Sequence, residues 1–229
     1  MTDRDNLKEQ AFVFLRDAII SGQLEDQSLN SVYRLADLLD MSRTPVREAV
    51  LQLAEAGMVT IERNRGVRIH GLNTQKIRDI FELRLLLEVP AASYVARFGS
   101  AVLHAELQQA NVAAGAALAV GDQKGFLAND RAFHDRLVVG VGNHQFKLAL
   151  DGARDVVLAP RLDDPFGGRS PEDVVKEHAL IASAIAARDP ERAASSMRDH
   201  LQRTGTIMLR DLSLRTSETF DANWADRLG

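Results

Sequence analysis

Two sets of side chains in this 229-residue sequence have the types and spacing to do chemistry. The first is Arg43 and Arg47, four residues apart in Met41-Ser-Arg-Thr-Pro-Val-Arg-Glu-Ala-Val50. On a helix that separation puts both guanidiniums on one face, where their planar donors can reach guanine edges or phosphates. Thr44 beside them can touch backbone or a thymine methyl. The second set is Asp130 and His134, again four apart, with His178 and His200 in later helical stretches. Three imidazoles and a carboxylate suit a divalent transition metal (Zn²⁺, Ni²⁺ or Mn²⁺) with coordination positions left open. Each set also has a plainer explanation. Arginines on an exposed helix are often only its solvated face, and a histidine on an apolar helix face is often a hydrogen-bonded core residue.

The elements around the arginines favour the chemical reading. Ser42 is placed to cap a helix running from about Arg43 to Ala56, Pro45 falls in its first turn, and Gly57 follows as a stop. Val46, Val50 and Leu53 recur at core-facing spacing on its other side. Upstream, Leu7, Ala11, Phe14, Ala18 and Ile19 mark a first helix ending at Gly22, and Val32, Leu35, Ala36 and Leu39 mark a short second one ending near Asp40. Downstream, two β-prone runs, Met58 to Glu62 and Val67 to His70, flank Arg63-Asn-Arg-Gly66, a turn with Asn and Gly available for positive φ. Three helices and a hairpin make a winged helix-turn-helix. Its third helix enters the major groove, while Arg65 and Gly66 sit at the wing tip, where an arginine can enter a narrow minor groove and glycine lets the backbone approach closely.

From Asn73 onward the pattern is helical. Breaks at Phe98 to Ser100, Val120 to Asp122, Gly140 to Asn143, Asp163 to Ser170 and Arg188 to Pro190 divide it into one long helix, kinked at Pro90, and about five more. The expectation is a mainly α protein: a winged helix-turn-helix over residues 1–72 and an antiparallel all-helical bundle over 73–229. Val174, Ile181 and Ile185 mark the inward side of the helix carrying His178, and Met197 and Leu201 flank His200. His70, His104 and His144 have no partners at ligand spacing and are assigned to the wing and surface. The stretch from Ser213 to Gly229 carries no regular apolar stripe.

Composition sets the outer bounds. A formal net charge of −4 argues against coating nucleic acid by bulk electrostatics, yet residues 43–70 hold five arginines against three acids. The absence of cysteine rules out disulfides, thiolate metal sites and a cysteine nucleophile. No uncharged run approaches the ~18 apolar residues of a membrane span, and the first residues are acidic where a signal peptide is basic, which points to the cytoplasm.

Leu35-Ala36 with the unbroken Ser42-Arg-Thr-Pro-Val-Arg-Glu-Ala-Val50, then Leu53, Gly57, Met58-Val59 and Gly66, resembles the GntR superfamily over residues of about 7 to 72. The resemblance implies a bacterial transcription regulator that binds a palindromic DNA operator as a homodimer. Ser31-Val32-Tyr33-Arg34 departs from the acidic residue often found at the start of the second helix, and Arg34 becomes a further candidate DNA contact. Glu82-Leu-Arg84 with Glu88, Asp130-Arg-Ala-Phe-His134, Gly142-Asn143, Glu177-His178 and Asp199-His200 resemble the FCD sensor domain over about 73 to 213. That resemblance implies a metal at Asp130, His134, His178 and His200, and a small carboxylate effector completing its coordination. Arg84 would face the effector's carboxylate, with Asn143 as a second effector-site residue. Arg84 and Glu88 are also spaced to pair with one another. The leading expectation is a repressor whose two reading heads are respaced by the effector. A regulator answering to the metal itself is the alternative, and a metal-dependent hydrolase fits less well because no His-Glu-x-x-His motif accompanies the ligands.

Overall fold

A computed structural model describes residues 3–71, 73–157 and 169–226. They fall into two compact units, one comprising the chain to Asn73 together with 152–157, the other Thr74–Asp151 and the chain from Arg169.

In the first unit, α1 (Asp3–Ile20) buries Ala11, Phe12, Leu15, Ala18 and Ile19. Of the expected stripe, Ala11, Ala18 and Ile19 are buried, but Leu7 and Phe14 are not. Leu7 and Phe14 are 38% and 40% exposed, while Phe12 and Leu15 take the core. Burial at 11, 12, 15, 18 and 19 follows the 3.6-residue period, which leaves position 14 at the edge of the buried face. Strand β1 (Leu29–Asn30), not anticipated from the sequence because it has two residues, leads into α2 (Val32–Leu39). Ser31 caps α2, its Oγ accepting from the Arg34 N–H at 3.1 Å, and Asp40 ends it in the left-handed region at φ 50°.

Helix α3 (Arg43–Glu55) buries Pro45, Val46, Ala49, Val50 and Leu53. Ser42 has the extended backbone of a cap residue, but its side chain makes no capping hydrogen bond, contrary to expectation. The proline in the first turn removes one of the N–H groups a cap would satisfy. Strands β2 (Val59–Glu62) and β3 (Gly66–Ile69) pair antiparallel with Glu62 opposite Gly66, and β1 joins the other edge of β3. Asn64 (φ 60°) and Gly66 (φ 135°) make the turn. A Cβ on Gly66 would stand 2.5 Å from the Asn30 carbonyl oxygen, so both its backbone angle and β1 require glycine.

The second unit holds α4 (Thr74–Phe98), α5 (Ala101–Ala119), α6 (Gln123–Gly140), α7 (His144–Val157) as far as Asp151, α8 (Pro171–Ala186) and α9 (Pro190–Thr216). Helix α4 lies against α6, α8 and α9, α5 against α6 and α8, and α8 against α9. Side-chain oxygens of Ser100, Asp122, Ser170 and Asp189 cap α5, α6, α8 and α9. Helix α4 runs through Pro90 as one element. The break expected over 163–170 lies, as far as 168, outside the described residues. His104 is a correction: it is buried on α5, its Nε2 3.2 Å from the Val95 carbonyl oxygen, an internal bond that spacing in sequence does not reveal.

Beyond α9 the chain folds back. Trp224 is buried edge-on to Phe81, with centroids 6.1 Å apart, and its Nε1–H donates to Thr206 Oγ1 at 3.0 Å. Glu218 accepts from the Thr74 N–H at 2.8 Å and so satisfies a free donor at the start of α4.

Candidate nucleic-acid interface and metal centre

Arg34, Arg43, Thr44 and Arg47 are exposed, while the opposite face of α3 is core. The Arg43 guanidinium lies over the Tyr33 ring at 4.6 Å. At the wing, Arg65 is exposed but paired with Glu62 at 2.9 Å, and Arg68 bonds the same carboxylate and the Gln27 carbonyl oxygen. The Arg68 hydrogen bond, helped by Arg65, holds the Glu62 carboxyl below its ordinary range. Two of the five arginines counted in this region are thus tied to one acid. Among the described residues no carboxylate lies within ion-pair distance of Arg43 or Arg47.

In the bundle, α6, α8 and α9 bring His134, His178 and His200 together, with one ligand atom from each within 4.8 Å of the others. All three are buried. His178 Nε2 is 3.4 Å from His200 Nε2 and 3.7 Å from Asp130 Oδ1. Tetrahedral arms of about 2.0–2.1 Å to zinc require neighbouring nitrogens roughly 3.3 Å apart, so the two imidazoles stand at ligand separation.

The remaining ring nitrogens explain this orientation. His134 Nδ1 is 2.5 Å from Glu88 Oε2, and His200 Nδ1 is 2.9 Å from Glu177 Oε2. A carboxylate accepting the Nδ1–H fixes the tautomer and leaves Nε2 with a lone pair, the usual arrangement behind a metal-bound histidine. Each carboxylate is in turn held by arginine. Arg84 Nε donates to Glu88 Oε1 at 2.7 Å, and Arg169 donates to Glu177, which also accepts from Arg203 at 3.0 Å. Two Arg–Glu–His relays, 84–88–134 and 169–177–200, therefore approach the cluster. Phe133 stacks on His178 at 4.2 Å between ring centroids, and interplanar tilt is only 7°.

Burial, then neighbouring positive charge, pushes His178 and His200 well below the ordinary imidazole value, so both are neutral near pH 7. Burial likewise lowers Arg169, to about 10, which leaves it charged. Neutral imidazoles, a nearby carboxylate and oriented Nδ1 protons are the donor chemistry a divalent N/O-bound ion requires.

Arg84 is 5% exposed, lies over Phe81 and has its Nε bonded to Glu88. The intrahelical pairing allowed by its spacing is therefore present. Asn143 is exposed at the start of α7, its Oδ1 accepting from the Gln145 N–H, and none of its described bonds reaches the histidines. Sequence reasoning missed the orienting roles of Glu88 and Glu177 and the whole of Arg169. Glu88 carried a signal in its spacing from Arg84. Arg169 had none, because its partners come from α8 and α9.

Comparison with known proteins follows the same division. Residues 7–69 match the bacterial regulatory proteins of the gntR family, and residues 79–203 match the FCD domain. An HTH-type transcriptional regulator from the ttuE–ttuC′ intergenic region of Agrobacterium vitis is 36% identical over 131 residues, 56% of this chain and 77% of that one. The Escherichia coli transcriptional repressor GlaR is 26% identical over 196 residues, 82% of this chain and 89% of the repressor. In fold, the chain superposes on E. coli McbR/YncC with a TM-score of 0.66 at 20% identity, covering 92% of this chain and 99% of that one. With a GntR reading head and an FCD domain each matched in place, the chain belongs to the GntR family of bacterial transcription regulators.

Proposed function

We propose that this regulator is a repressor whose hold on its operator is set by a small carboxylate metabolite, bound at a divalent ion held by Asp130, His134, His178 and His200. The observation that carries the reading is the pair of carboxylates, Glu88 and Glu177, on the outward nitrogens of His134 and His200. A buried neutral histidine has one donor and one acceptor nitrogen to satisfy. With the Nδ1 sides of His134 and His200 taken by carboxylates, one ligand atom from each of the three histidines lies within 4.8 Å of the others, close enough for a single ion to bind all three. The ion would supply a Lewis acid for a carboxylate ligand, and the protein supplies orientation and a buried donor set. GlaR is named a repressor, and the same sign of control is assigned here.

The DNA-bound form is a homodimer with one winged domain on each half of a palindrome. Half-sites must follow the duplex turn, ~34 Å or multiples, so a ligand favouring another spacing of the heads weakens binding. The test is metal analysis of the purified protein, followed by operator mobility shifts with and without small carboxylates, before and after chelation. Release by a carboxylate only while the ion is present supports the proposal. Release on adding or removing the ion alone makes the metal the signal, and metal-free protein with unchanged regulation removes the site from the mechanism.

A further inference from the structure

Tyr33 is a large aromatic, 63% exposed on the outer side of α2, and the core gives no reason for it to be there. Its ring carries the Arg43 guanidinium at 4.6 Å. Arg43 is the first residue of α3, where the helix dipole disfavours a cation, so fold stability does not account for the arginine either. Two residues that the fold does not require are thus placed on each other at the entrance to the reading helix.

We propose that Tyr33 is a positioning residue for DNA reading: its ring holds the Arg43 guanidinium in the orientation that meets a base edge, and so sharpens sequence preference at that base pair. A free arginine side chain samples many rotamers and loses them on binding. Stacking on the ring confines the planar group beforehand while leaving its N–H edge open to a base. The local backbone keeps the pair in register, since Ser31 caps α2 two residues before Tyr33 and Asp40 closes it three residues before Arg43. Arg47, one turn farther along α3, has no such platform among the described contacts, so the constraint applies to the first reading position alone.

The experiment uses full-length protein and a duplex selected by the wild type from a random pool, with single-base variants of each half-site. Affinities are compared for wild type, Tyr33→Ala, Tyr33→Phe, Arg43→Ala and the Tyr33→Ala/Arg43→Ala double variant, after thermal melting shows that each is folded. An exposed cation–π contact corresponds to roughly a two- to five-fold effect, the loss expected for Tyr33→Ala. Tyr33→Phe should retain wild-type affinity, and Tyr33→Ala should cost nothing further once Arg43 is alanine. Base preference should flatten at one position of each half-site, the same one in Tyr33→Ala and Arg43→Ala. Equal loss from Tyr33→Ala in both arginine backgrounds would overturn the proposal, as would loss in Tyr33→Phe, which marks a direct hydroxyl contact with phosphate. Unchanged affinity in Arg43→Ala would overturn it too.

Discussion

At the scale of single side chains, the proposed reading and the proposed metal site each rest on a few residues. Arg47 projects from the exposed face of α3, and its replacement by alanine should weaken operator binding by about ten- to a hundred-fold, the range for losing one good base contact. Titration of labelled operator checks this, and unchanged affinity would remove α3 from the groove. Glu177 reaches the proposed ion only through His200, yet it also engages Arg169 and Arg203. Glu177→Gln keeps the shape and loses the charge, and chelator competition should show metal affinity falling ten- to a hundred-fold. The pairing at this scale was partly legible. Arg84 with Glu88 follows from helical spacing of four, whereas Asp130 has its described ion pair with His178 on α8 and not with His134 four residues on. Arg169 with Glu177 does not follow from spacing, because that contact joins the chain ahead of α8 to a side chain two turns into it, and Thr204 on α9 completes it.

At the level of elements, helix boundaries were well marked because caps and left-handed stops are local chemistry. Asp40, Gly57, Gly121 and Gly142 all take positive φ at or just past helix ends. What local chemistry does not settle is which cap residue makes its bond. Ser31→Ala should lower the stability of the first unit by about 1 kcal/mol, whereas Ser42→Ala, with no capping bond to lose, should change it by clearly less. Urea melts of the two variants compare them directly. The slot for Trp224 gives a second test. A Cβ on Gly205 would fall 2.7 Å from Trp224 and 2.9 Å from Phe81, so Gly205→Ala should displace the returning chain and cost about 1–3 kcal/mol, seen as a fall in melting temperature and exposure of the tryptophan's fluorescence. Neither β1 nor this slot was foreseen: a two-residue strand has no period, and a lone tryptophan in an irregular tail has no stripe.

For the whole molecule, the buried histidines link folding to pH. His178 and His200 are held below the ordinary value of 6.5 in the folded protein and return to it on unfolding. Below that value the unfolded chain binds more protons than the folded one, so metal-free protein should lose stability as pH falls through about 6.5 toward the lowered folded values. Thermal melts at pH 8, 7, 6 and 5 check the sign, and added Zn²⁺ should raise the melting temperature at neutral pH, with less effect in acid because protons compete for the same nitrogens. The sequence by itself determined the reading head, since capping, turn chemistry and helical spacing act over a few residues, and Ser-Arg-Thr-Pro-Val-Arg-Glu is one unbroken local run. It also named Asp130, His134, His178 and His200 as ligand types. Only tertiary structure decided that α6, α8 and α9 bring these imidazoles together, that Glu88 and Glu177 orient two of them, and that Tyr33 carries Arg43. Those contacts depend on how helices rotate and pack against one another, which a pattern of period 3.6 along a single helix does not specify.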